Sequence, residues 1–486
     1  MLLIFLTNFR ASIVLAEDAL NRTIQRVSND TSLVHGHWAM VAIVAASGEF
    51  LVNVNGEKSL APASCMKLVT SAAALCLLGE EYRFQTRLGY TGYIDEDSLL
   101  HGDLYVIGGA DPTLGSDRFD PQGNYSHLLA AWADTVKKAG IQSISGNVVA
   151  DDRHFDRSFL PRNWIWEDMG NYYGAGTSGL CFNENAYRLY FRPGAVGQLA
   201  LLLSIEPQIP GLSFVNYMLT GPPKSGDNGY IFGAPLQWQR VLRGTIPAGV
   251  RRFSIKGSMP DPAKACAELF TSQLEKSNVI VEGEALSQSD PECNLADAAE
   301  IQIIFTQNSP PLKEIVYWLN KRSINLYAEQ LLKQLAKEIN GQGTYENGFK
   351  VLGEFLASRE IPLKGLHLHD GSGLSRFTMM TALQLAMLLR RMTTEPCFHS
   401  FYNSLPVVGD PEDEGTLSHF GVNTRATKNA RVKSGLINRI RAHSGYVTTT
   451  SGRLVCFAMF ANDFSSSPRH IDKLHEVAIA RLAELP

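Results

Sequence analysis

Ser64 and Lys67 stand three residues apart in Ala63-Ser64-Cys65-Met66-Lys67, at the head of the apolar run Leu68-Val69-Thr70-Ser71-Ala72-Ala73-Ala74-Leu75-Cys76-Leu77-Leu78. Pro62 suits the threshold of a helix, and the run is rich in Ala and Leu, so the sequence predicts a helix over about 63–78, ended near Gly79. A spacing of three puts the hydroxyl and the amine on one face, one turn apart. A serine hydroxyl becomes a nucleophile when a base takes its proton. A lysine is such a base once burial or a neighbouring cation lowers its pKa. The free N–H groups of a helix start suit a developing oxyanion. A lone Ser-x-x-Lys arises by chance about once in a chain of this size. This one is unrepeated, and it opens a helix too apolar for a surface. Cys65, between the two, reads as a small buried residue, since a reactive cysteine needs a perturbed setting.

The elements around this helix set its place. Trp38 to Ala46 and Phe50 to Val54 read as a hairpin joined through Ser47-Gly48, leading into the helix, and a polar helix precedes them near Ala19 to Ile24. From about Glu81 the chain turns β-rich and Gly-punctuated, with one helix near His127 to Lys138. Residues 164–250 are rich in Gly, Pro, Asn and aromatics. Helical, apolar character returns near Glu314, with helices at Leu312 to Leu319, from Tyr327, and at Thr381 to Arg391. Strands at Gly445 to Thr450 and Arg453 to Ala461 and a helix from Pro468 to Leu485 close the chain. The simplest architecture is one α/β domain split by a long, mostly β insertion.

Composition narrows the functions. The chain has 486 residues, 45% of them hydrophobic and 19% charged, with a net charge of −4. The length exceeds one core. The charge disfavours nucleic acid. No run of 18 apolar residues is present, so no membrane-spanning helix is expected. Residues 1–16 read as a candidate signal segment, atypical in lacking a basic start and in carrying Arg10. Seven cysteines, at 65, 76, 181, 266, 293, 397 and 456, form neither a Cys-x-x-Cys pair nor a disulfide framework.

Two more tripeptides complete a set. Ser323-Ile324-Asn325 lies at the mouth of a helix, and Lys433-Ser434-Gly435 precedes a β-rich tail. On an edge strand the latter supplies a cation, a hydroxyl and room for a backbone to come close. Ser145-Gly146-Asn147 and Lys224-Ser225-Gly226 match the same patterns, but they fall inside the insertion, and their composition is that of turns. Ser-x-x-Lys, Ser-x-Asn and Lys-Thr/Ser-Gly, in that order, is the pattern of the active-site serine penicillin-recognising enzymes.

With Leu60-Ala61-Pro62-Ala63-Ser64, Asn320-Lys321-Arg322-Ser323-Ile324-Asn325-Leu326-Tyr327-Ala328-Glu329, Asp370-Gly371-Ser372-Gly373-Leu374-Ser375-Arg376, Ser404-Leu405-Pro406, Gly415-Thr416-Leu417 and Ser444-Gly445-Tyr446, the chain resembles the class C low-molecular-mass penicillin-binding proteins, the D-alanyl-D-alanine carboxypeptidase/endopeptidase family. The resemblance spans most of the chain beyond residue 38. It implies a transpeptidase-like α/β (α+β) domain, 17–85 and 297–486, interrupted by an inserted domain II, 86–170 and 246–296, which carries a domain III, 171–245. It also implies roles. Ser64 is the acylated nucleophile, Lys67 its base and Ser323 a proton relay. Asn325 holds the substrate amide, and Lys433 and Ser434 grip the terminal carboxylate. The backbone N–H groups of Ser64 and Leu436 form the oxyanion hole beside Gly435. Like charges repel, so two lysines at one site favour a neutral one; which of Lys67 and Lys433 it is stays open.

The chain departs from the family pattern at Ser434, where Thr is usual, and at Leu436, where a small polar residue is more common. Asp168 sits where the family carries an aspartate that receives a diaminopimelate amine; it also suits a turn, and Glu167 competes for the role. His367 and His369 share a strand face, but no third ligand cluster stands out, and no metal or other cofactor is expected. The reading is a periplasmic or otherwise exported serine DD-peptidase of peptidoglycan stem peptides that β-lactams acylate. The alternatives are a β-lactamase or esterase on the same scaffold, and a non-catalytic peptidoglycan-binding protein. Preference between carboxypeptidase and endopeptidase, and between monomer and homo-oligomer, is left open.

Overall fold

A computed structural model describes residues 16–119 and 124–486. The expected signal segment lies outside the described residues, except for residue 16. The chain divides into two compact units, one of residues 1–82, 312–324 and 346–486, the other of 83–311 and 325–345.

The first unit is built on a five-stranded antiparallel sheet. Its strands are β1 (His37–Val44), β2 (Phe50–Val54), β3 (Arg431–Ile437), β4 (Ile440–Thr448) and β5 (Leu454–Asn462), in the order β2-β1-β5-β4-β3. β5 is almost wholly buried, an apolar run without alternation. That pattern requires cover on both faces. A helix over 16–28 (α1) and the C-terminal helix Pro468–Glu484 (α7) share one buried cluster with β1, β4 and β5 through Leu20, Ile24, Val27, Ile471, Ile479 and Leu482. Among the helices of this unit are also α2 (Lys67–Leu78), α3 (Leu312–Arg322), α4 (Tyr345–Ala357, whose first residue groups with the second unit), α5 (Ala382–Met392) and α6 (Phe398–Ser404). α5 packs on β1 and β5, and α2 packs on α3, α5 and α6. α2 is therefore enclosed, as its all-round apolar sequence demands. Its expected start is modified. Ala63–Met66 form a 3-10 turn before the α-helix begins at Lys67, and Gly79 ends the helix at φ 92°.

The second unit holds one sheet ordered Ala285–Ser287, Val148–Asp151, Leu104–Ile107, Gln85–Tyr90, Gln302–Asn308, and three smaller sheets. Its longer helices are Tyr125–Lys138, Pro262–Lys276 and Asn325–Asn340. One buried cluster runs through this unit from Leu88 to Val279. The strand Gln302–Asn308, which begins after the expected return at 297, pairs antiparallel with Gln85–Tyr90. Ser309 N donates to Phe84 O at 2.9 Å, and within the first unit Leu312 N donates to Tyr82 O at 2.9 Å. The outgoing and returning chains thus run side by side. Both patterns set aside in the sequence, at 145–147 and 224–226, lie in this unit.

Candidate active site

Two hydroxyl–amine pairs lie in the first unit. Lys67 Nζ donates to Ser64 Oγ at 3.0 Å and to the Ser372 carbonyl at 2.8 Å. Lys433 Nζ donates to Ser323 Oγ at 2.9 Å and to the Ser434 carbonyl at 2.7 Å. Ser64 and Ser323 are half-buried, while both lysines have no exposed surface.

The 3-10 turn is what aligns the first pair. In that geometry residues i and i+3 eclipse, so the hydroxyl of Ser64 stands directly above the side chain of Lys67. The turn is strained: Ala63 adopts φ 45°, and Ser323, in the link after α3, adopts φ 58°. Non-glycine residues in this region persist where the surroundings over-determine them, as at functional sites.

The loop 370–378 supports Lys67. The Asp370 carboxylate accepts from Gly373 N at 3.0 Å, Ser375 N at 2.6 Å and Thr378 Oγ1 at 2.6 Å. Thr70 Oγ1 of α2 donates to Gly371 O at 2.6 Å. The loop so held presents the Ser372 carbonyl to Lys67. Gly373, at φ 74°, presses on the turn so closely that a Cβ would lie 1.9 Å from Ala63 O. Asp370 thus pins this turn from within, while Arg376 is exposed.

β3 supports the second pair. It is an edge strand, as expected for Lys433-Ser434-Gly435. Gly435 lies against the turn that carries Ser64: a Cβ there would sit 2.7 Å from Pro62 O and 2.9 Å from Ser64 N. Cys65 Sγ donates to the Lys433 carbonyl at 3.2 Å. Those two contacts seat the strand on the start of α2. Cys65 therefore packs and donates, and burial pushes its thiol up. From the other side Arg441 Nη1 donates to Gly435 O at 3.2 Å and pairs with Asp472 of α7. Burial, and secondarily the Arg441 charge, brings the Lys433 ammonium down to about 8, against the opposing pull of Cys65. Ser434 is half-buried, and Leu436 is 55% exposed.

Asn325 and Asp168 belong to the second unit. Asn325 opens its helix two residues after Ser323, and its Nδ2 donates to the Tyr173 carbonyl at 2.7 Å. Asp168 lies on the short helix Trp166–Met169. Burial, followed by the Asp168 charge and hydrogen bond, pushes the Tyr173 phenol up. Tyr173 thus meets both residues, a link no motif advertised.

Ser372 and Arg441 also went unmarked as partners, because one presents its own carbonyl and the other donates to the Gly435 carbonyl, and no side-chain pattern encodes a main-chain partner. Among the described residues no group of three or more His, Cys, Asp or Glu could hold a metal ion. His369 stacks edge-on against Phe377.

The profile of the D-Ala-D-Ala carboxypeptidase 3 (S13) family matches residues 20–482. The chain belongs to that family. A D-alanyl-D-alanine carboxypeptidase of Actinomadura sp. (strain R39) is 30% identical over 475 residues, covering 96% of this chain and 84% of that one. D-alanyl-D-alanine carboxypeptidase DacB of Haemophilus influenzae is 23% identical over 86% of this chain and 84% of that one. The crystal structure of penicillin-binding protein 4 from the same organism superposes with a TM-score of 0.80 at 20% identity, over 96% of this chain and 99% of that one. This S13 chain therefore has the penicillin-binding, transpeptidase-like fold that its motifs implied.

Proposed function

We propose that this S13 chain is a serine DD-peptidase that cleaves D-Ala-D-Ala termini or D-Ala-diaminopimelate links of peptidoglycan stem peptides through an acyl-Ser64 intermediate. The observation that carries the reading is the meeting of the two hydroxyl–amine pairs where Gly435 touches Ser64 N. Lys67, anchored on the Ser372 carbonyl, takes the Ser64 proton as Oγ bonds to the carbonyl carbon of the penultimate D-Ala. The N–H groups of Ser64 and Leu436 receive the oxyanion. Ser323 passes a proton to the departing amine, and water then releases the acyl group. Lys433 and Ser434 hold the terminal carboxylate, Asn325 holds the substrate amide, and Asp168 receives the diaminopimelate amine.

A β-lactam enters the same path, its ring amide opening onto Ser64. Membership of the family and the intact Ser64, Lys67, Ser323 and Lys433 set support catalysis over a purely binding role. Peptidoglycan as substrate supports an exported location. No helix among the described residues is long and apolar enough to cross a membrane.

Intact-mass measurement after benzylpenicillin treatment tests the reading. One adduct on the wild type and none on Ser64→Ala is expected. No adduct on the wild type, or one that survives Ser64→Ala, overturns it. Products from purified muropeptides then separate carboxypeptidase from endopeptidase action.

A further inference from the structure

Two cysteines 321 positions apart, Cys76 and Cys397, bring their sulfurs to 3.3 Å. Cys76 lies in the last turns of α2 and is partly exposed; Cys397 caps the start of α6 and is 5% exposed. Among the described residues no second pair of cysteine sulfurs approaches this closely. Cys65 and Cys181 instead donate to carbonyls. Met392 of α5 closes one side, its sulfur 3.9 Å from Cys76 Sγ. The Cys76 thiol hydrogen-bonds Cys397, and that bond, against burial, holds the Cys397 thiol below its ordinary range. A disulfide needs the sulfurs at ~2.05 Å, so closure asks for an approach of about 1.3 Å, within reach of a small χ1 rotation at each residue.

We propose that Cys76 and Cys397 are a dithiol site that closes to a disulfide by exchange with an external disulfide. The oxidant is itself a disulfide, small or protein-borne. The partly exposed Cys76 sulfur, its proton passed across the 3.3 Å contact to Cys397, attacks one of its sulfur atoms. A Cys76–S–S–R bond forms, the S–S bond of the oxidant breaks, and R–S⁻ leaves with the electron pair and takes up a proton. Cys397, as thiolate, then attacks the Cys76 sulfur and displaces the second R–S⁻. Two cysteine thiols are oxidised, one disulfide is reduced to two thiols, and two protons pass to the leaving groups.

The bond ties the end of the nucleophile helix to the 397–405 segment. That segment is also what holds the approach to Ser323. Ser404 Oγ accepts from Asn320 Nδ2 at 2.8 Å, and the Leu405 carbonyl accepts from Lys321 Nζ at 2.8 Å. The staple therefore braces, on one segment, both elements that carry the two catalytic hydroxyls.

The test treats the full chain with oxidised glutathione, then titrates thiols after unfolding and maps peptides without reductant. The expected result is a fall from seven thiols by two, a linked peptide joining Cys76 to Cys397, and restoration by dithiothreitol. Cys397→Ser should stop at a stable glutathione adduct on Cys76, because the resolving sulfur is gone. Seven thiols persisting, a wild type that stops at the glutathione adduct, or bridges joining other cysteines would each overturn the proposal. None of these readouts depends on the peptidase assignment.

Discussion

Two buried lysines of the first unit are treated in opposite ways. Lys321, behind the site, is buried against the carboxylate of Asp413 and the Leu405 carbonyl. Its burial lowers the ammonium pKa, and Asp413 offsets that. Lys433, in the site, has only a hydroxyl and a carbonyl as hydrogen-bond partners, and it falls to about 8. The second unit repeats the first arrangement: Lys333, also fully buried, has the Asp156 carboxylate 2.5 Å away. Lysines that serve structure receive a counter-ion. Lys433 has none among its hydrogen-bond partners, which suits the proposed grip on a substrate carboxylate. A buried ammonium without an anion is costly, and proteins tolerate such groups where function needs them.

The contrast can be broken most sharply at Asp413. Asp413→Ala strands the Lys321 charge and removes the acceptor of Val407 N and Gly415 N. A loss of ~3–5 kcal/mol in urea unfolding is expected. A loss under ~1 kcal/mol would mean that Lys321 needs no counter-ion.

Lys433→Met should do the reverse. A pKa lowered from 10.5 to about 8 corresponds to a burden of ~3 kcal/mol at neutral pH. Stability should therefore hold or rise by up to ~3 kcal/mol, while release of D-Ala falls ~10²-fold or more. A variant that melts early would place Lys433 among the structural lysines.

Asp370→Asn keeps one oxygen but loses the second acceptor for the loop amides. We expect ~1–3 kcal/mol of destabilisation and slower acylation by benzylpenicillin. An unchanged acylation rate would separate the Ser372 carbonyl from the function of Lys67.

The mildest effect is on pH. The folded-state pKa of Lys433 lies below the unfolded one, so its contribution to stability grows as pH rises from about 8 toward 10.5 and is lost as pH falls through about 8. Carboxylate binding runs the other way. kcat/KM should be halved near pH 8 and fall further above it, with Lys433→Arg moving that limb upward. A flat profile to pH 10 would remove the charge of Lys433 from substrate binding.

Much of this was legible in the residues. The hairpin, the apolar helix and the C-terminal helix follow local rules of periodicity and capping, and they lie within a few residues of their predicted places. The contact of Ser64 with Lys67 was legible because side-chain chemistry at fixed spacing leaves a pattern. The 3-10 start of the nucleophile helix was not, since it depends on Ala63 being held at positive φ by the loop at Gly373, some 300 positions away. The end of the insertion was also blurred. The strand Gln302–Asn308 looks like any strand until its partner, Gln85–Tyr90, is known. Carbonyl partners such as Ser372 and Tyr173 carry no signature at all.

The insertion also has a consequence for biogenesis. β1 pairs with β5, whose first residue is made 417 positions after the start of β1. At ordinary elongation rates of ~5–20 residues per second, that interval is about 20–80 s. Throughout it the edge of β1 that β5 covers in the finished sheet lacks its partner, and an unpaired apolar edge is what chaperones capture and what self-associates when they are scarce.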